Sequence, residues 1–355
     1  MAEKDNMATA RDLPPVSFDH IARLTDRTGI LQHAVYAVPN RQEGYCLDDN
    51  ARALLLMAMT CRHAPNAFAQ EQIPVYLSYI HHAQNPDGTF RNFMGFDRVF
   101  LDETGTDDAF GRAIWALGYT AAHYPGRAFC PLAWQLIQNA MPRFAAIRSV
   151  RAIAAIILGL CHCLEAEPQH DEIKAQLTML SQRLQFEYDA HRTDDWHWYE
   201  RLLAYDNGLL PLAMLCASNA SGDERMRAIA FESLSFLEKH TTRNGRISLI
   251  GNAGWYPQGS TPAQFDQQPV DAMTLVLLYR QAYDDTGEQH YADLMRQAFY
   301  WFLGDNDVGL PLYDPETQGC SDGLQDQSVN LNQGAESTLA FWISRVALEF
   351  DADSR

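Results

Sequence analysis

Acidic and amide side chains recur at six points along this 355-residue chain, each time just ahead of an apolar stretch. The openings are Cys46-Leu47-Asp48-Asp49-Asn50, Thr106-Asp107-Asp108, Arg148-Ser149-Val150, Tyr205-Asp206-Asn207, Pro269-Val270-Asp271 and Asn332-Gln333-Gly334-Ala335-Glu336. Carboxyl groups brought together from different segments can divide proton donation and proton removal between them. The densest local cluster is Thr193-Asp194-Asp195-Trp196-His197-Trp198-Tyr199-Glu200-Arg201. Aromatic faces there can stack on a ligand while the acids take its hydroxyls. A second aromatic loop, Gly251-Asn252-Ala253-Gly254-Trp255-Tyr256-Pro257-Gln258-Gly259, runs on through Phe265-Asp266-Gln267-Gln268. Amides such as Asn207, Gln268 and Gln333 are poor catalysts but good readers of hydroxyl groups.

The elements that position these residues form a repeat. The openings lie about 58 residues apart, long enough for two helices and a loop. Nearly uninterrupted apolar and small residues fill 51–61, 109–122, 152–164, 208–217, 272–282 and 337–348. A helix apolar on every side is buried on every side. Amphipathic stretches alternate with them at 70–82, 132–145, 172–188, 224–240 and 289–303, and 18–24 is a shorter sixth member. Links from inner to outer helices are short, as at Tyr124-Pro125-Gly126-Arg127 and 218–222. Links from outer to inner helices are long, at 85–106, 190–201, 243–268 and 305–333. Long loops in a compact domain usually carry function. The pattern predicts a closed all-α ring of six helical hairpins, an (α/α)6 toroid, with one plain face and one elaborated by loops and short β-hairpins. One domain over 16–350 is expected, with tails at 1–15 and 351–355.

Arg52-Ala53-Leu54, Arg112-Ala113-Ile114 and Arg151-Ala152-Ile153 echo one another at the first three inner helices. Asp48 and Asp108 each stand four residues before their arginine, a spacing that lets two side chains meet on a helix. Such pairs either hold helix starts or orient carboxylates in a pocket. Ile147 occupies the matching position in the third repeat. Capping is the competing role for each acid, since helix N-termini favour negative charge.

Composition narrows the classes. A hydrophobic content of 47% supports a large core, and a net charge of −18 argues against nucleic acid or an anionic membrane as partner. Seven scattered cysteines read as buried free thiols, and with no apolar leader or membrane span the cytoplasm is the expected compartment. Cys161-His162-Cys163 looks like a metal tag, but adjacent helical residues point apart. No His-Glu-x-x-His spacing or nucleotide-binding glycine fingerprint occurs, and acidic runs at 305–307 and 322–326 read as surface turns. No metal and no cofactor is expected.

The stretch Gly44-Tyr45-Cys46-Leu47-Asp48-Asp49-Asn50-Ala51-Arg52-Ala53-Leu54 resembles a signature of bacterial proteins found near, or fused to, sugar-nucleotide glycosyltransferases. Asp26-Arg27-Thr28-Gly29-Ile30-Leu31-Gln32-His33-Ala34 and Tyr205-Asp206-Asn207 resemble the same group. With the hairpin ring, the chain is similar to the six-hairpin glycosidase superfamily, which holds hydrolases, phosphorylases, lyases and sugar epimerases. The resemblance implies an oligosaccharide or glycoside ligand and a functional link to a glycosyltransferase. Glycoside cleavage uses two carboxyls flanking the scissile bond. Asp108 is the expected first member, with Asp195, Glu200 or Asp206 across the ring, and Asp49, Asp271 and Glu336 next. Expected sugar contacts are Tyr45, Asp48, Arg112, Trp196, His197, Trp198, Asn207, Trp255, Tyr256, Gln268, Asp271, Gln333 and Glu336. Inverting hydrolysis is the leading expectation. Epimerisation with His33 and His197, elimination aided by mouth arginines, or a non-catalytic sugar-binding toroid stand beside it.

Overall fold

Runs of Ala, Leu, Ile and Met without polar interruption leave the chain no stable choice but buried helices, and this is what forms. The computed structural model describes residues 13–126 and 128–349. In chain order the helices are α1 (Asp19–Leu24), α2 (Leu47–His63), α3 (Ala67–Ala83), α4 (Asp107–His123), α5 (Cys130–Ala140) and α6 (Val150–Ala166). They continue with α7 (Asp171–His191), α8 (Leu209–Ser221), α9 (Glu224–Thr241), α10 (Pro269–Thr286), α11 (Gln289–Phe302) and α12 (Ala335–Glu349). The even-numbered helices pack side by side in the order α2, α4, α6, α8, α10, α12, and α12 returns to α2. The odd-numbered helices form the outer layer. The (α/α)6 toroid is thereby closed. The expected tails at 1–15 and 351–355 lie almost wholly outside the described residues.

Local chemistry fixes the helix ends. Thr106 accepts from the Ala109 amide and Ser149 from the Ala152 amide, so the hydroxyls cap α4 and α6. Gly222 and Gly287 close α8 and α10 in the left-handed conformation. The third outer stretch, expected as one helix over 132–145, tightens at Pro142 into a 3-10 segment, Met141–Ala146. Proline removes a backbone donor there and shortens the α-helix.

Adjacent inner helices α4 and α6 approach unusually closely. A Cβ placed on Gly118 would lie 2.2 Å from the Gly159 carbonyl oxygen, and one on Gly159 would lie 2.5 Å from that of Ile114. Small residues on both surfaces let the two backbones touch.

The long loops gather at the end where inner helices begin, and two-residue strands lace them together. Tyr45–Cys46 pairs with Phe93–Met94, Leu202–Leu203 with Tyr256–Pro257, and Gly323–Leu324 with Val329–Asn330. Gln267 bridges to Leu324. The two stretches that carry the strongest resemblance also meet. Tyr45 Oη donates to Asp26 Oδ2, the Ile30 amide donates to Asn50 Oδ1, and Gly29 has no room for a Cβ beside Asn50.

Candidate active site

Three arginines of the first three inner helices organise the mouth, and each reaches sideways to an acid beyond its own helix, Arg52 also bonding Asp49 within α2. Arg112 on α4 donates to Asp48 Oδ1 on α2 at 2.6 Å and to Asp206 Oδ2 ahead of α8 at 2.8 Å. Arg52 on α2 donates to Asp49 Oδ1 at 3.1 Å and pairs with Glu336 Oε2 on α12 at 2.7 Å. Arg151 on α6 pairs with Glu200 Oε2 at 2.7 Å, and its guanidinium lies 4.6 Å from the Tyr205 ring centre. The expected i,i+4 pairs Asp48–Arg52 and Asp108–Arg112 are therefore not hydrogen-bonded pairs. The narrow ring lets a long guanidinium span neighbouring helices, which an isolated helix does not offer. Burial opposes the charge on Arg112, but Asp48, Asp206 and Asp108 together raise it well above its ordinary range.

Above this layer opens a cavity of about 660 Å³. Its wall carries the carboxylates Asp48, Asp49, Asp266, Asp322 and Glu336, with Arg52 and Arg112 between them. Tyr205, Trp255 and Phe93 supply aromatic surface, and Gln268, Asn252 and Asn330 supply amides. Burial pushes Asp49 up to about 6, against the pull of Arg52 and with a further push from Glu336. The Cys46 thiol donates to its second oxygen at 3.1 Å. Asp322 is also raised by burial, although the Gly334 amide and Ser337 hydroxyl donate to its Oδ1. Asp266 and Gln268 make no side-chain hydrogen bond to any described residue. The Trp255 indole nitrogen is buried without a hydrogen-bond partner among the described residues.

Expected site residues divide between this wall and its supports. Asp48, Asp49, Arg112, Trp255, Gln268 and Glu336 line the cavity. Asp108 does not. Its two oxygens accept from Ser149 Oγ at 2.5 Å and Tyr205 Oη at 2.6 Å. Burial would raise it, but Arg112, those hydrogen bonds and Arg151 hold it below the ordinary carboxylate range. An acid held ionised is a poor proton donor, and Asp108 stands off the cavity wall with Tyr205 Oη bonded to it. Asp206 is buried beneath the wall on Arg112, and Asn207 holds its own turn through the Ala204 amide and carbonyl. Asp271 is fully inside, where it accepts from the Asn207 amide at 3.4 Å. Burial, then the negative charge of Asp206, pushes it up to about 8.

The aromatic cluster at 193–201 belongs elsewhere. Trp196 and Trp198 are core residues packed on Phe236, and Tyr256 packs on Trp196 and His240. Asp195 and His197 face an outer groove against α9. Glu200 stands on Arg151 outside the cavity wall. Tyr45 is fully buried on Asp26, and Gln333 is held by Thr317 and Asp314. Their composition suits a pocket, but an equally polar-aromatic loop can fold down as packing. Conversely, Asp266, Asp322 and Tyr205 line the cavity without being among the expected site residues. Asp322 sits in the run read as a surface turn, and the Gln267–Leu324 bridge, with the Gly334 and Ser337 bonds, turns that loop inward.

No protein-family profile and no curated protein sequence matches the chain. Solved structures do match in fold. A sugar epimerase from a ruminal bacterium superposes with a TM-score of 0.73 at 11% identity, over 95% of each chain. Cellobiose 2-epimerase from Bacillus thermoamylovorans gives 0.71 at 11% identity, covering 93% of this chain and 94% of that one. A GH76 α-mannanase from Bacteroides thetaiotaomicron gives 0.65 at 10% identity, covering 94% and 93%. The chain thus shares the (α/α)6 toroid fold of these solved structures.

Proposed function

We propose that the protein is a carbohydrate-active enzyme, and specifically a glycoside hydrolase acting through two carboxyl groups. The observation that carries this reading is the cavity wall itself, where five carboxylates face three aromatic rings and a set of amides. Asp49 is the proton donor, because burial keeps its carboxyl protonated closer to neutrality than an ordinary aspartate. Asp266 is the base or nucleophile. It enters from the loop ahead of α10, away from α2, and its carboxylate is uncommitted. Trp255 and Tyr205 supply stacking faces, while Gln268 and Asn252 read hydroxyls.

Sugar epimerisation is the second reading, supported by the epimerases and the D-mannose isomerase among the structural neighbours. Proton transfer at a sugar carbon needs a positioned base and acid. His33 is the one histidine among the described lining residues, and it is exposed, so the acid-rich wall favours hydrolysis.

The test is a panel of oligosaccharides and aryl glycosides read by NMR. Hydrolysis of one class supports the assignment, and the first-formed anomer reports the stereochemistry. An unhydrolysed but epimerised sugar transfers the assignment to the second reading. Sugar binding without turnover of any kind removes both.

A further inference from the structure

At the plain face, opposite the cavity, the close approach of α4 and α6 brings His123, His162 and Glu165 to one point. His123 Nε2 lies 3.1 Å from His162 Nδ1 and 3.0 Å from Glu165 Oε2. His162 Nδ1 lies 3.2 Å from Glu165 Oε1. Three contacts join three groups, and with Glu165 ionised no placement of protons makes all three favourable. If both imidazoles donate to Glu165, two N–H groups confront one another. If one imidazole gives up its proton to accept from the other, its lone pair faces a carboxylate oxygen. A cation at the centre satisfies all three lone pairs together.

Size and field agree with that. Zinc bonds of about 2.0–2.2 Å in tetrahedral geometry separate neighbouring ligand atoms by about 3.4 Å, close to the 3.0–3.2 Å contacts here, of which the two to Glu165 reach its two different oxygens. His123 is the last residue of α4, and Glu165 lies in the last turn of α6. Two helix C-termini therefore direct partial negative charge at the same place. The Tyr119 ring packs 4.6 Å from His123 and 4.9 Å from His162, fixing both imidazoles. Arg62, a nearby cation, lies over that ring with Nη1 3.5 Å from the Tyr119 hydroxyl. Beside His162 and Glu165 opens a hollow of about 280 Å³, room for a water as fourth ligand.

We infer that His123, His162 and Glu165 form a divalent metal site of the zinc class, clamping the C-terminal ends of α4 and α6. Cys161 and Cys163 take no part, so the Cys-His-Cys run contributes its histidine alone.

Chelator-treated full-length protein, dialysed against zinc chloride, tests this by metal analysis and thermal unfolding. The expected result is one ion per chain and a higher Tm with zinc. Cobalt substitution is expected to give the intense visible bands of a four-coordinate site. Glu165→Gln and His123→Gln are each expected to weaken uptake at least about tenfold, with the Tm in chelator little changed for Glu165→Gln, whose side chain is half exposed. Wild-type protein that takes up no zinc overturns the inference, whatever the variants do. Equal uptake by wild type and Glu165→Gln also overturns it, since the ion then sits elsewhere.

Discussion

Asp49 and Asp271 are both aspartates at the start of an inner helix, yet the fold gives them different work. Asp49 borders the cavity with Arg52 and Glu336 beside it, and its carboxyl is raised to about 6. In the proposed role of proton donor it must be protonated, so turnover is expected to fall as pH rises past about 6. Asp49→Asn should lower kcat by roughly 10²–10⁴-fold while the circular dichroism spectrum stays native. Full turnover in that variant would remove Asp49 from the chemistry. Asp271 is raised to about 8 by burial and by Asp206, so the folded chain holds a proton that the unfolded chain has released. Its contribution is present in full below the ordinary carboxylate range and is lost as pH rises through about 8. Between pH 7 and 9 this one group should cost about 1 kcal/mol of stability. Asp271→Asn, neutral at every pH, should lose less stability over that interval, measured by urea unfolding at both ends. An equal loss in both proteins would show that Asp271 is already ionised at neutral pH.

At the scale of elements, α4 and α6 are the pair whose packing leaves least freedom. Gly111 meets Ala152, Gly118 meets Gly159, and Gly159 meets Ile114, all at distances a methyl group cannot share. Backbone, not a flexible side chain, stands in the way, so the helices must separate to admit one. Gly159→Ala is expected to destabilise by about 1–3 kcal/mol, read as a lower urea midpoint with an unchanged slope. Because the same approach brings His123 to His162, this variant should also weaken the inferred zinc site. An unchanged midpoint would mean that the contact is looser than the geometry describes. The helical character of both elements is readable from their apolar runs. Their spacing is not, because glycine in a helix reads as a mild weakness until its neighbour is known.

At the scale of the molecule, closure is what gives the ring a mouth. Arg52 and Glu336 join the first inner helix to the last, and α1 packs against α12. Each hairpin leans on two others, so no subset is expected to melt first. A single calorimetric transition, coincident by tryptophan fluorescence and near-ultraviolet circular dichroism, is the expected outcome. Two separated transitions would divide the chain into independent units. A sugar that fills the cavity should raise that Tm in proportion to its occupancy.

The sequence alone determined the hairpin ring. Periodicity, small-residue runs and asymmetric loop lengths are local properties, and closure follows from burying every apolar face. It also marked Asp48, Asp49, Arg112, Trp255, Gln268 and Glu336, which stand at helix starts or in a glycine-rich loop near the mouth. Only the tertiary structure decided which partners those residues take. Arg112 meets acids 64 and 94 positions away, and Asp322 turns inward on a bridge between distant loops. Trp196 and Trp198 went to the core for the same reason that made them attractive as a sugar platform. A large aromatic face gains as much from packing on Phe236 as from a ligand, and composition cannot tell which face it will meet.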